Sequence, residues 1–430
     1  MEKAKNAIVV LLDSLNRHMI GDYGGTEFET PNIDRFAQRA VRFNRHFTGS
    51  LPCMPARHDI LCGALDFLWK PWGSIELWEA PITAHLREKN VNTMLFTDHP
   101  HLFETGGENY HTDFYAWEYL RGHEGDPWKS RPDPSWMGAP ALPASKRPAH
   151  YDESRTWFRS ELDFPGPKTM QATANWLNDN AGHHDQFLVY VDEFDPHEPF
   201  DTPAPWVNRY DETWTGEQLI WPPYGVRNVE RGVITEREGR HIRCNYGSKL
   251  SMIDHWFGKV LDAIDQNGLW DDTMVILCTD HGHYLGEKDT GVSPACLNMN
   301  LSVIPLFTSP TPESTRVKST LCRPMSISTR HYAISLTSRC NMTPMVFRCY
   351  RSWLANDQVC GSGRWEAFSV IGYRSTTAIE STRGPPSTTG FHCHFGPIGG
   401  RPCLLTEPLP RGRCRTIVRC WILCPEPISR

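Results

Sequence analysis

Four short apolar runs, each ending near polar or acidic residues, constrain the fold of this chain more than any other feature. They occupy residues 6–12, 93–97, 187–191 and 273–278. Continuous apolar runs of this length are typical of strands that are buried on both faces of a parallel sheet. Helical segments lie between them, so the sequence predicts an α/β fold with a mostly parallel central sheet and helices on both faces.

The segments between these runs carry the helical signals. Thr30 and Pro31 are a suitable N-cap and first residue of a helix. Residues 81–89 predict a second helix, and residues 245–266 place apolar side chains at helical spacing. Residues 125–169 are instead rich in Pro, Trp and Ser, which predicts a long irregular loop of functional importance.

Composition limits the class of protein and its partners. Hydrophobic residues make up 39% of the 430 residues and charged residues 22%, which is a soluble globular balance. The formal net charge of −6 gives no reason to expect a nucleic-acid partner. The apolar run at residues 7–12 is too short for a signal peptide or a membrane span, so we expect a cytoplasmic protein without a membrane partner.

Two side-chain groups at the predicted strand ends favour a metal site. Asp13 follows the first run, and the pair Asp280-His281 follows the last. The carboxyl ends of parallel strands meet at one edge of a sheet, where the ligands of such folds bind. Carboxylates with an imidazole suit Ca²⁺, Mg²⁺ or Mn²⁺. Taken singly, Asp13 as a helix cap and His281 as a polar loop residue are the favoured interpretations; the combination favours the metal.

Cys53 lies at a predicted helix N-terminus, with Pro55 in the first turn and Arg57 one turn on. The positive end of a helix dipole and a guanidinium both favour a nearby anion, such as a sulfate or phosphate group. A single cysteine is more often a small buried apolar residue than a nucleophile, and that alternative stands on the residues alone.

Three motifs, in this order and spacing, carry a resemblance to a known family: Leu12-Asp13-Ser14, then Cys53-x-Pro55-x-Arg57 with Gly63 beyond it, and Thr279-Asp280-His281-Gly282. They resemble the signature motifs of the sulfatases in the alkaline phosphatase superfamily over residues 6–290. The resemblance implies an alkaline-phosphatase-like catalytic domain at residues 1–290.

The resemblance also implies cofactors and partners. In that family the motif cysteine is oxidised to formylglycine by a formylglycine-generating enzyme, and the hydrated aldehyde attacks sulfur. Carried over to Cys53, this predicts hydrolysis of a small-molecule sulfate ester with the help of one divalent metal. Ca²⁺ is the first choice for that metal. The metal ligands would be Asp13, Ser14, Cys53, Asp280 and His281. Ser14 stands where the family often has a second aspartate.

Three further residues receive catalytic roles from the resemblance. Arg57 would hold the aldehyde hydrate and the metal side, and His197 would assist breakdown of the sulfated enzyme. His101 matches the histidine of a Lys-x-His pair, while His99 stands where the family has the lysine. The same parts could transfer phosphoryl groups, so a phosphonate monoester or phosphodiester hydrolase and an inactive remnant are the alternatives.

The tail at residues 291–430 departs from the rest of the chain. It holds ten of the fourteen cysteines and sixteen basic residues against six acidic ones, without a helical or strand periodicity that we recognise. The family's Trp-Gly-Lys segment is replaced by Thr290-Gly291-Val292-Ser293, whose codons permit Trp-Gly-Lys two bases later. We interpret the tail as the product of a frameshift near Asp289 and expect poor order there; a real basic tail is the rival interpretation.

Overall fold

In the computed structural model, the structure is described for residues 4–65, 70–133, 135, 149–225, 227–287 and 305–309. Seven strands in this part form one sheet in the order β2-β7-β6-β1-β5-β3-β4. The strands are β1 (Asn6–Leu12), β2 (Val41–Arg42), β3 (Asn92–Thr97), β4 (Ala116–Tyr119), β5 (Phe187–Glu193), β6 (Thr273–Cys278) and β7 (Leu306–Thr308).

Six α-helices surround this sheet within the described residues: α1 (Pro31–Ala37), α2 (Cys53–Cys62), α3 (Ile82–Glu88), α4 (Ala149–Arg155), α5 (Pro165–Asn180) and α6 (Glu236–Gln266). Short 3₁₀ turns complete several connections. No helix among these residues has the length and apolar character that a bilayer crossing requires.

The register of the central strands brings their carboxyl ends to one edge. β1 lies between β5 and β6 and is parallel to both, with Leu12 opposite Glu193 and Leu11 opposite Cys278. β3 extends the parallel set beyond β5, and β7 is antiparallel to β6 and β2. The residues that follow β1 and β6, together with the end of β5, therefore meet at a single edge of the sheet.

Alternation along β1 divides the interior into two apolar cores. Ile8, Val10 and Leu12 face one core, which is completed by side chains of α1, α5 and α6. Ala7 and Leu11 face the other, which is completed by α2 and α3. Helices thus cover both faces of the sheet, and the predicted alkaline-phosphatase-like fold class is confirmed.

The structure corrects three details of the sequence analysis. The last predicted helix begins at Glu236 rather than at 245, because the Thr235 side chain caps the backbone N–H of Glu238 and extends the helix by several turns. The predicted irregular loop at 125–169 is wrong at its end, where α4 and the start of α5 are helical. The sequence analysis also missed β7, a strand of only three residues that follows Pro305.

β7 bears on the tail. The amino-acid sequence after Asp289 still forms one strand of the sheet, at Leu306–Thr308. Apart from residues 305–309, residues 291–430 lie outside the described part of the chain. The frameshift and the boundary at residue 290 stay predictions, which the nucleotide sequence decides.

Glycines on α6 provide a test of the helix packing. A Cβ at Gly247 would lie 2.2 Å from the Phe28 ring, whereas one at Gly239 would meet its nearest neighbour at 3.6 Å. We expect Gly247→Ala to lower the free energy of unfolding by about 1–3 kcal/mol through overpacking. The matched Gly239→Ala should raise it by up to about 1 kcal/mol, because alanine favours the helix. Urea unfolding of both variants measures this; a stabilised Gly247→Ala protein contradicts the packing.

Candidate active site

A buried guanidinium holds the carboxyl edge of the sheet together. Arg57 is 1% exposed, and its Nε and Nη2 donate to Asp192 at 2.7–3.1 Å. Its Nη1 donates to Asp280 at 2.6 Å and to the Cys53 carbonyl at 3.3 Å, and Nη2 lies 2.9 Å from Asp13. All five N–H donors of the guanidinium therefore face groups of the protein itself. In this arrangement Arg57 positions other residues rather than offering donors to a substrate.

α2 places Cys53 against the edge. Cys53 is the first residue of this ten-residue helix, as the sequence predicted, and is 5% exposed. The helix N-terminus carries partial positive charge, so an anion near Cys53 is favoured. Burial, followed by the charges of Asp13 and Asp280, raises the pKa of the Cys53 thiol well above its ordinary value. An unmodified Cys53 is therefore a poor thiolate nucleophile.

His281 presents a defined nitrogen to Cys53. Its Nδ1 donates to the Gly282 carbonyl at 2.9 Å, and a carbonyl oxygen can only accept. The proton on Nδ1 leaves the lone pair on Nε2, which lies 3.2 Å from Cys53 Sγ. A backbone partner that fixes the tautomer in this way is a common feature of metal-binding histidines.

Ser14 contacts two of the predicted metal ligands, Asp13 and Asp280. Its hydroxyl donates to Asp13 Oδ1 at 2.8 Å, and its backbone N–H donates to Asp280 Oδ1 at 3.2 Å. The residue has a φ of 62°, in the left-handed region. These contacts orient two carboxylates, so direct ligation of a metal by Ser14 stays a prediction.

The residues present fit a divalent cation. One ligand atom each from Asp13, Cys53, Asp280 and His281 lies within 4.8 Å of the others, and all four residues are buried. Asp13 Oδ2 is near Arg57 but lacks hydrogen-bond geometry, so among the described residues it has no hydrogen-bond partner. The three carboxylates on Arg57 also exceed its charge by two. A bound divalent cation would satisfy the oxygen and balance that excess.

His197 is a buried, positively charged histidine. Its Nδ1 donates to the Glu198 carbonyl at 2.9 Å and lies 3.4 Å from the Glu198 carboxylate. Burial alone would lower its pKa, but Glu198, Asp13 and Glu124 outweigh burial and raise the pKa of His197 to about 9. Nδ1 is committed to the backbone, so the protonated Nε2 remains the group for chemistry.

His99 lies in the interior of the candidate site, whereas His101 lies at its partly exposed rim. His99 is fully buried, with Nε2 3.6 Å from Asp13 Oδ2, and neither ring nitrogen has a hydrogen-bond partner among the described residues. His101 lies 3.2 Å from Glu124 and also pairs with Glu104. Burial would lower the pKa of His101, but these two carboxylates outweigh it and raise the pKa above its ordinary value.

The sequence analysis missed Asp192 and the two glutamates. Asp192 stands at the end of β5, as Asp13 and Asp280 follow β1 and β6, so the same strand-end signal could have found it. Glu124 and Glu198 become adjacent to the histidines through loops that join distant elements. No local pattern in the sequence indicates that proximity.

The metal site predicts cation-dependent stability. Adding Ca²⁺ to chelator-treated protein should raise the free energy of unfolding by about 2.7 kcal/mol at a hundred times the dissociation constant. Asp280→Asn should abolish that increment, because it removes a charged ligand. Asp262→Asn, which alters an exposed ion pair with Arg35, should keep it. Thermal unfolding with and without Ca²⁺ measures the increment; an unchanged increment in Asp280→Asn contradicts the site.

His197 predicts a pH dependence of the metal-free protein. Its folded pKa of about 9 lies above the ordinary value of 6.5, so the charged form stabilises the fold. That stabilisation is fully present below pH 6.5 and is lost as the pH rises through 9, a change of about 3 kcal/mol. The difference in unfolding free energy between the natural protein and His197→Gln should shrink over this range. A difference that is constant from pH 6 to 10 contradicts the assignment.

Solved structures support the fold. The chain superposes on a phosphonate monoester hydrolase from Silicibacter pomeroyi with a TM-score of 0.55 at 19% identity, covering 72% of this chain and 69% of that one. It superposes on a phosphonate monoester hydrolase of Agrobacterium radiobacter with a TM-score of 0.52 at 20% identity, covering 71% and 68%. At these identities the likeness concerns the fold.

Sequence relatives include a named sulfatase and a named alkaline phosphatase superfamily protein. A choline-sulfatase from Rhizobium meliloti is 25% identical over 304 residues, covering 66% of this chain and 58% of the relative. A multifunctional alkaline phosphatase superfamily protein from Trinickia caryophylli is 25% identical over 344 residues, covering 66% and 64%. The chain thus spans less than two thirds of the length of these relatives. The family model described as Sulfatase matches residues 5–314, so this chain belongs to the sulfatase family of the alkaline phosphatase superfamily.

Proposed function

We propose that this protein hydrolyses sulfuric esters of small molecules with a formylglycine made from Cys53 and one divalent cation, Ca²⁺ in the first place. The position of Cys53 carries the proposal. Its Sγ stands at a helix N-terminus, 3.2 Å from His281 Nε2 and among the carboxylates of Asp13 and Asp280. A formylglycine-generating enzyme would be the partner that matures it. Oxidised Cys53 would supply a hydroxyl nucleophile, and the cation would neutralise charge on the transferring group.

The protein's own groups prepare the site for an anionic ester. The α2 N-terminus directs positive partial charge to the place beside Cys53 where the ester oxygens would lie. The imidazole of His99, buried without a hydrogen-bond partner among the described residues, offers a further nitrogen on the Asp13 side. An ester bound there would satisfy a polar group that is costly to leave unpaired.

Proton transfer falls to His197 in this proposal. It is protonated at neutral pH, and its ring is fixed by Glu198, so Nε2 can give a proton to a departing oxygen and take one back. His101 is held between Glu104 and Glu124 at the rim and keeps its proton by the same kind of pairing. It would contact the leaving-group side of the ester.

Arg57 and Asp192 act through other residues. Arg57 donates to Asp192, Asp280 and the Cys53 carbonyl and is paired with Asp13, so it fixes the position of α2 and of Cys53 relative to Asp13 and Asp280. Asp192 accepts two of its N–H groups and fixes the guanidinium plane. The effect on the reaction is one of positioning.

A second candidate is a hydrolase of phosphonate monoesters or phosphodiesters. One sequence relative is itself named a multifunctional member of the superfamily. Singly charged phosphorus esters match sulfate esters in charge and need the same electrostatic stabilisation. An inactive remnant that only binds anions is the third, because Thr290-Gly291-Val292-Ser293 stands where the family has its Trp-Gly-Lys segment.

Parallel kinetics on an aryl sulfate, a phosphodiester and a phosphonate ester decide between these candidates. With protein co-expressed with the maturing enzyme, we expect the highest kcat/KM on the sulfate ester. Cys53→Ala should lower kcat by roughly 10³-fold or more, since it removes the nucleophile. Cys244→Ser changes a buried cysteine of α6 and should leave the rate unchanged.

Each contrary result has a distinct meaning. Faster turnover of the phosphonate ester would make the second candidate the right description. Turnover that is unchanged in Cys53→Ala would exclude the covalent mechanism. No turnover of any ester by correctly matured protein would leave the anion-binding remnant.

A further inference from the structure

A second cluster of metal-ligating side chains lies at the other end of α2. One ligand atom each from His58, Cys62 and Glu79 lies within 4.8 Å of the others. None of the three takes part in the cluster around Cys53. The ammonium of Lys70 lies in the same place, 3.0 Å from His58 Nε2 and in an ion pair with Glu79.

The spacing of the three residues suits coordination of one ion. His58 and Cys62 are four residues apart on α2, so their side chains share one face of the helix. Glu79 approaches that face from the following segment, with Oε2 3.0 Å from His58 Nε2. Zinc-type bonds of about 2.0–2.3 Å in a tetrahedron hold ligand atoms roughly 3.3–3.8 Å apart. Small rotamer changes bring the three atoms into that range.

Lys70 shows that the place attracts a cation. An ammonium has only donors, so His58 Nε2 receives its N–H with the lone pair. The carboxylate of Glu79 directs a lone pair at the same ammonium. His58 Nε2 and the Glu79 carboxylate thus both lie beside the same positive charge. The lysine occupies the position that an ion would take.

Solvent can reach the cluster. The side chain of Lys70 is 19% exposed and that of Glu79 is 20% exposed, whereas that of His58 is 2% exposed. The lysine can therefore move outward while the histidine stays in place. An ion would enter along the path that the ammonium leaves.

We propose that His58, Cys62 and Glu79 form a second site, for a divalent transition metal of the zinc type. Imidazole and thiolate with one carboxylate select such ions over Ca²⁺ or Mg²⁺. On binding, the Cys62 S–H bond breaks, its proton goes to solvent, and a metal–sulfur bond forms. No oxidation or reduction is involved. Thiolate and carboxylate together balance the charge of the ion, and the Lys70 ammonium turns to solvent.

The metal site would connect the loop that contains Glu79 to α2, the helix that begins with Cys53. A metal ion bound there would hold the C-terminal half of α2 in place. The same helix carries Arg57, which binds the carboxylates at the carboxyl edge of the sheet. Binding to the folded state alone stabilises a protein by mass action, so the ion would stabilise the helix beneath the active site. This inference does not depend on the proposed function, because it uses no residue of the Cys53 cluster.

Titration of the full chain with Co²⁺ and Zn²⁺ tests the site. The background is Cys53→Ala, which removes the thiol of the other cluster. Co²⁺ bound by a thiolate gives a near-ultraviolet charge-transfer band, and Cys62→Ser should remove the part of that band that Cys62 supplies. Cys244→Ser is the matched control and should keep it. Comparing variants in pairs separates Cys62 from the ten cysteines of the tail.

Lys70→Met gives the sharpest outcome, because removing the competing ammonium should tighten Zn²⁺ binding by about tenfold or more. Glu79→Gln should weaken it by at least about tenfold. Circular dichroism melting of each variant confirms that it is folded. Zn²⁺ affinity that is the same in Cys62→Ser, or lower in folded Lys70→Met, would overturn the proposal and leave the cluster as an ion pair with a histidine.

Discussion

The buried guanidinium of Arg57 is the constraint on which the rest of the site depends. A charge that is removed from water costs several kcal/mol unless it is paired and hydrogen-bonded. Arg57 meets that condition only where β1, β5 and β6 end together and present Asp13, Asp192 and Asp280. The helix that carries Arg57 can therefore lie in one position on the sheet, and that position brings Cys53 to the edge.

The charges at this edge remain out of balance without a further ion. The carboxylates outnumber the guanidinium. Burial alone would raise the pKa of Asp13, but Arg57 and His197 outweigh it and hold the pKa below its usual range, so Asp13 stays ionised. His281 directs a lone pair inward, and His99 has no hydrogen-bond partner in the described part of the chain. These groups suit two neighbouring ligands. The carboxylates and the His281 lone pair would bind a cation, and the His99 imidazole would contact an anionic ester beside it. The pattern explains why so much polar surface is buried there.

Much of this could be predicted from the sequence, because strands buried on both faces leave a clear apolar signal and their ends share an edge. Asp13, Asp280 and His281 were found in that way, and Cys53 was found at the predicted start of a helix; the four do come together. The chain's membership of the family could be predicted from the same motifs. Contacts between loops could not be predicted, as Glu198 beside His197 or Glu124 beside His101 show. The surroundings of Arg57 could not be predicted either, because a sequence does not reveal that Asp13, Asp192 and Asp280 meet at its guanidinium.

The central claim is that Cys53 is the precursor of the nucleophile, and the mass of the peptide that contains it tests this most directly. After co-expression with a formylglycine-generating enzyme, conversion of the thiol to an aldehyde should lower that mass by about 18 Da, since H₂S is lost and oxygen gained; the ordinary cysteine oxidations add mass instead. The account predicts this species in the folded protein. A peptide that retains only the thiol, in protein shown to be exposed to an active maturing enzyme, would contradict it.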